Sequence, residues 1–204
     1  MKNILITGGA GFIGSNLALK LNILGYFVTV LDNLSPQIHG KDPENSSLYK
    51  SILGKVNFIK GDITCRKHVE LAVQNQDAII HLAAETGTGQ SMYSLEKYSQ
   101  VNVLGTALLL DVLVNKKHSV KKIILASSRA VYGEGKYKNR AGEIKYPKSR
   151  SSELMRQGKF EMLDENDEIL ETLATDENSK LHPTSFYGLT KLKKEEMFQL
   201  VCGS

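Results

Sequence analysis

The sequence predicts an α/β protein, a doubly wound parallel sheet with helices on both faces. Three observations predict it. Short runs rich in Ile, Leu and Val recur along the chain and hardly alternate with polar residues. Segments of helical pattern separate them, and the first run leads straight into glycines that open a helix. Strands covered on both faces read as continuous apolar runs, and a β-α-β-α order lays them side by side in parallel. With 204 residues, 41% of them hydrophobic and 24% charged, the chain has the composition of a globular domain with a sizeable core.

In chain order, NILIT (Asn3 to Thr7) is the first strand, and Phe12 to Leu24 the first helix, with Gly25 as its stop. FVTVLD (Phe27 to Asp32) and VNFIKGD (Val56 to Asp62) are the next strands, and Arg66 to Gln74 the next helix. AIIHLAA (Ala78 to Ala84) is followed by a long helix over Ser94 to Asn115 and by the strand KIILASS (Lys122 to Ser128). From Glu134 to Leu181 the rhythm breaks into a polar insertion, either plain surface or a dedicated substrate or partner element, in which Asp164 to Asp167 suit a hairpin turn. A last helix starts near Ser185 and is incomplete at the end of the chain. Residues 1–204 thus read as one nucleotide-binding domain carrying an insertion at about 134–181.

Charge and cysteines narrow the partners. A net charge of +4 without a Lys/Arg run suits a small anionic ligand and argues against a nucleic-acid footprint. Cys65 and Cys202 are too few for a disulfide framework or a zinc site, so no metal is expected and a reducing compartment fits. Met1-Lys2-Asn3 runs into an apolar stretch too short for a signal peptide, and nothing approaches the length of a membrane span. The expected location is the cytoplasm.

The stretch ITGGAGFIGS places Gly8, Gly11 and Gly14 between a strand and a helix, the Rossmann-type phosphate cradle. Gly8 permits the tight turn, Gly11 lets a pyrophosphate approach the backbone, and Gly14 lets helix and strand pack closely. The helix start at Phe12 and Ile13 adds amide donors and a partial positive charge. Asp32 closes the second strand at the distance expected of a carboxylate that binds both adenosine ribose hydroxyls and repels a 2′-phosphate. The following Asn33 and Leu34 offer no arginine for such a phosphate, so the expected cofactor is NAD. Asp62, followed by Ile63, suits the adenine amino group.

In SFYGLTK, Tyr187 and Lys191 stand four residues apart at a helix start and share one helical face. Free tyrosine has a pKa near 10, so a tyrosine base at neutral pH needs a neighbouring cation. The pair is either such a base with its cation or two ordinary surface residues. His81, in an apolar strand, is read as a satisfied core histidine.

The motifs TGGAGFIG, GDI, HLAA, SSRAVYG and YGLTK, in this order, resemble the extended short-chain dehydrogenase/reductase family, and within it the NAD-dependent sugar-nucleotide epimerases and dehydratases. LAAETGTGQSMY is similar to enzymes acting on dTDP-linked deoxysugars. The resemblance implies catalysis by Tyr187, Lys191 and Ser128, with Tyr187 taking a sugar hydroxyl proton while C4 gives hydride to NAD. It places Leu82, Ala83 and Ala84 along the cofactor, and Lys191 on the nicotinamide ribose. Asn102 matches a family asparagine near the nicotinamide, or is a polar residue tolerated inside a helix. Thr86 and Ser91, with Glu85, fall where the family contacts cofactor or sugar, and Ser128 and Arg129 would face the substrate. Where the 4,6-dehydratases of the family resemble an Asp-Glu pair, this chain has Arg129-Ala130, which disfavours a dehydratase.

The implied function is C4 epimerisation of a dTDP- or UDP-linked hexose, by a homodimer in the full-length form. The alternative is an NAD-binding fragment without turnover, because family members continue past 300 residues and most of their C-terminal substrate domain would be absent here. Ser204 would then end either a piece of a longer enzyme or a natural short product.

Overall fold

A computed structural model describes residues 1–203. Five strands, β1 (Asn3–Thr7), β2 (Phe27–Asp32), β3 (Asn57–Lys60), β4 (Ala78–His81) and β5 (Lys122–Leu125), form one parallel sheet in the order β3-β2-β1-β4-β5. The order reverses between β1 and β4, the place where open α/β sheets hold ligands at the carboxyl ends of their strands. The main helices are α1 (Phe12–Ile23), α2 (Arg66–Val73), α3 (Gly105–Asn115) and α4 (Phe186–Cys202).

The chain divides into two compact units. One comprises Met1–Glu85, Glu96–Ala126 and the chain from Lys194; the other comprises Thr86–Leu95 and Ser127–Lys193. In the first, alternate residues of each strand enter two different cores. Leu5, Leu31 and Ile79 pack with Val69, Val73, Leu109, Leu113 and Phe198, while Ile4, Ile6, Val28, Val30 and Ile80 pack with Ala18, Leu34 and Ile52. Successive side chains of a strand point to opposite faces, so two cores demand apolar residues at every position. That requirement is why the strands read as unbroken apolar runs.

Several expected elements differ in extent. β3, β4 and β5 stop short of the carboxyl ends read from sequence, at Lys60, His81 and Leu125. Past β4 the apolar run continues as Leu82-Ala83-Ala84, but the backbone there turns to side-chain partners, as described below. The expected helix over Ser94 to Asn115 is three pieces, Leu95–Tyr98, a π-helical Ser99–Leu104 and α3. The wider turn carries Asn102, which is fully buried on a polar partner rather than on the apolar stripe.

In the second unit, β6 (Lys136–Lys138), β7 (Ile144–Lys145) and β8 (Glu171–Leu173) form an antiparallel sheet in the order β7-β6-β8. Lys138 lies opposite Glu171 in the register and pairs with it at 3.0 Å. Tyr137, Met162 and Leu170 make a small core of their own. Asp164 to Asp167 form a turn closed by the Leu163–Ile169 bridge, with Asp167 left-handed at φ 61°. Among the described residues no helix is long and apolar enough to cross a membrane.

Ile79 is fully buried in the middle of its core. Ile79→Ala should lower unfolding free energy by roughly 2–5 kcal/mol, read from urea denaturation.

Candidate functional site

The glycine turn lies in the first unit. Gly8 has φ +70°, and a Cβ there would fall 2.7 Å from the Ala83 nitrogen and 2.8 Å from its Cα. A Cβ on Gly14 would meet the Gly8 carbonyl oxygen at 2.5 Å. Both positions exclude a side chain by close approach of backbone to backbone. Around Gly11 the nearest atom is at 3.4 Å, so the loop presents bare main chain outward there. The amides of Phe12 and Ile13 begin α1, where no intrahelical acceptor exists for them, and both side chains are exposed. This arrangement fits a pyrophosphate: open main chain, free amide donors and the positive end of a helix.

Asp32, at the end of β2, is tied to that turn. One carboxylate oxygen accepts from the Ala10 amide at 2.9 Å and the other from the Leu34 amide at 2.8 Å. His39, nearly buried, places its Nε2 4.0 Å from Asp32 Oδ1 while its Nδ1 lies 2.8 Å from the Ser46 hydroxyl. Beside them, Asn33 donates to Asp62 at 2.8 Å, and Thr64 donates to Asp62 through both amide and hydroxyl. Burial pushes the Asp62 carboxyl up, but these donors together with His68 outweigh it and hold the group below the usual aspartate range. Ile63 sends its side chain into the core.

Beyond β4 the ladder ends with the Leu82 amide on the Thr7 carbonyl at 3.0 Å. The Ala83 amide then reaches the Thr7 hydroxyl at 3.3 Å, and the Ala83 carbonyl accepts from the Lys194 ammonium at 2.9 Å. Asn102 and the Glu85 backbone bond reciprocally, at 2.9 and 3.1 Å, and the Glu85 carboxylate pairs with Lys97 at 3.0 Å. His81 is the satisfied core histidine, fully buried between the hydroxyls of Thr7 at 2.6 Å and Thr106 at 3.2 Å.

The expected catalytic residues lie in the second unit. Ser128 precedes a single 3-10 turn, Arg129–Tyr132, and its hydroxyl accepts from the Ala130 amide at 3.1 Å. A Cβ on Gly188 would meet the Ala130 carbonyl oxygen at 2.5 Å, so the start of α4 sits directly on that turn. This brings the Tyr187 and Ser128 segments together. The Tyr187 amide donates to the Ser91 hydroxyl at 2.9 Å, and Ser91 donates to the Thr88 carbonyl at 2.6 Å. Ser91 is fully buried, so its hydroxyl positions the Tyr187 backbone instead of facing open space. Lys191, one turn along, is almost enclosed at 3% exposure, whereas Thr86 is exposed.

A cleft of about 490 Å³ in this unit is lined by Thr88, Gly89, Arg129, Ala130, Gly133, Glu134, Arg150, Thr184 and Ser185, within the size range of small-ligand sites. Arg150 pairs with Glu134 at 3.5 Å, and Arg129 donates to the Gly133 carbonyl at 3.2 Å. Sequence reasoning found Arg129 and missed Thr88, Gly89 and Arg150. It also missed His39 and Lys194; the latter stands in a charged run, KLKKEE, that reads as a solvated helix face.

A family model described as "Epimerase: NAD dependent epimerase/dehydratase family" matches residues 4–153. A dTDP-L-rhamnose 4-epimerase of Burkholderia thailandensis is 36% identical over 200 residues, covering 97% of this chain and 53% of that protein. A UDP-glucose 4-epimerase of Bacillus subtilis is 38% identical over 133 residues, covering 64% of this chain and 38% of that protein. The chain thus spans about half the length, or less, of the curated relatives it matches. Among solved structures, a UDP-glucose 4-epimerase of Thermotoga maritima with UDP-glucose matches at TM-score 0.70 and 25% identity, over 99% of this chain and 52% of that one. The fold is shared with a Bacillus cereus UDP-glucuronic acid 4-epimerase in complex with UDP-glucuronic acid and NAD, at TM-score 0.71 and 24% identity, over 99% of this chain and 52% of that one.

Because the Asp62 carboxyl is depressed in the folded chain, its stabilisation is present above the unfolded pKa and lost as pH falls through the folded one. Asp62→Asn should therefore be less stable than the parent at pH 7, with the difference closing as pH falls below the ordinary aspartate range. Urea midpoints across that range measure it.

Proposed function

The chain belongs to the NAD dependent epimerase/dehydratase family, and within it we propose a sugar-nucleotide 4-epimerase acting on a dTDP- or UDP-linked hexose. The observation that supports the reading is the seating of the first turn of α4, which carries Tyr187, on the Ala130 carbonyl of the turn that follows Ser128. In this reading Tyr187 takes the proton of the C4 hydroxyl, with the enclosed Lys191 ammonium stabilising its phenolate. Ser128 hydrogen-bonds the reacting oxygen. The Ser91 hydroxyl fixes the first turn of α4, so the phenol is aimed from a rigid helix. Arg129 and the cleft hydroxyls of Thr88, Thr184 and Ser185 hold the sugar.

The cofactor of the reading is NAD, held by the Gly8–Gly14 turn, by Phe12 and Ile13 amides and by Asp32, with Asn33 and Asp62 toward the adenine. Leu82, Ala83 and Ala84 flank it, and Asn102 serves by holding Glu85. When bound, NAD supplies a hydride acceptor at C4 that returns the hydride to the opposite face, so no net oxidation results. Arg129 and Ala130 provide no carboxylate to expel water, which favours epimerisation over 4,6-dehydration. The full-length form is proposed as a cytoplasmic homodimer.

A second reading, NAD binding without turnover, is favoured by the share of its relatives that this chain spans. One experiment separates the two. C4 inversion of dTDP-6-deoxyhexoses and UDP-hexoses is followed by NMR with the 204-residue chain and its Tyr187→Phe variant, beside NAD binding by each. Turnover that falls by roughly 10²–10⁴-fold in the variant, with NAD affinity kept, supports the epimerase. NAD binding with no inversion by the parent supports the second reading, and inversion undiminished in Tyr187→Phe overturns the role of the tyrosine.

A further inference from the structure

Lys194 is fully buried, and its ammonium donates to the Ala83 carbonyl at 2.9 Å. Enclosing a lysine is costly, because desolvation penalises the ammonium and a packed apolar side chain is commonly as stable or more so. What this lysine holds is therefore informative. The Ala83 backbone is the wall against which Gly8 turns, at the 2.7 Å that a Cβ would leave. No β-ladder fixes that wall, since β4 ends at His81. Its amide is held by the Thr7 hydroxyl, its carbonyl by Lys194, and the next bonded backbone, at Glu85, by the buried Asn102 amide.

Resting on the NAD reading above, we propose that Lys194 is a positioning residue for the cofactor. Through the Ala83 carbonyl it fixes the segment that flanks the glycine turn, and so the width of the space that the pyrophosphate and nicotinamide ribose enter. It touches neither cofactor nor substrate in this role. The polar side chains that grip the segment act from β1, from the π-helical turn and from α4, so elements distant in sequence set one short stretch of main chain.

The test is Lys194→Met, which keeps length and apolar volume and removes the donor. NAD affinity by calorimetry, the thermal unfolding midpoint without NAD and amide hydrogen exchange are compared with the parent chain. The expected result is a Kd for NAD raised roughly tenfold, with an unfolding midpoint unchanged or higher. Exchange should quicken at Ala83 to Glu85 and stay unchanged in β1. An affinity equal to the parent's overturns the inference. So does a variant that fails to fold, or that loses affinity only in step with its midpoint, since either assigns Lys194 to the core alone. A parent chain that folds and binds no NAD removes the cofactor reading itself, and the inference with it.

Discussion

The contact on which the first unit depends is the approach of Gly8 to Ala83. Two parallel strands, β1 and β4, run side by side until the ladder ends, and at that point one chain turns away into α1 while the other continues outward. The turn passes so close to Ala83 that no side chain fits between them. Gly14 repeats the constraint in the first turn of α1, against the Gly8 carbonyl. The consequence is chemical. A loop forced to pack as bare main chain on its inner side also presents bare main chain and helix amides on its outer side, which is what a diphosphate requires.

Polar groups at this end of the sheet hold that geometry in place. The Asp32 carboxylate accepts from Ala10 within the turn and from Leu34 beyond β2, tying the two loops together over a separation of 22 residues. Thr7 shares its hydroxyl between His81 and the Ala83 amide. Each such buried group would cost free energy if left unpaired, about 1–3 kcal/mol apiece, so the set holds together or fails together. The second unit uses the same device more sparingly. Gly188 admits the Ala130 carbonyl and Ser91 anchors the Tyr187 amide, so the tyrosine–lysine turn is fixed from two sides.

Much of this was legible in the sequence, for identifiable reasons. Two cores on one sheet force continuous apolar strands, so β1 to β5 and their parallel arrangement could be read directly. The glycine spacing could be read because steric exclusion leaves a residue-type signature. What could not be read lacks one. The π-helical turn at Ser99–Leu104 inserts into an otherwise helical pattern, and it carries Asn102, which pairs with a backbone 17 residues away. Ser91 looks like a loop serine facing ligand, and only the path of the chain turns it toward Tyr187. Lys194 sits among Lys193, Glu195 and Glu196, a run whose sequence suggests water on every side, yet it is the one enclosed on Ala83. The antiparallel sheet of the second unit rests on strands of two and three residues, too short for a periodicity to register.

The central property of this fold is that the turn between β1 and α1 holds a dinucleotide, as its bare main chain and helix amides imply. Calorimetric titration of NAD into the 204-residue chain and into Asp32→Ala tests this most directly. Saturable one-to-one binding that weakens by roughly tenfold or more in the variant is the predicted result. A folded parent chain that gives no heat of binding, or binding that Asp32→Ala leaves unchanged, would contradict it.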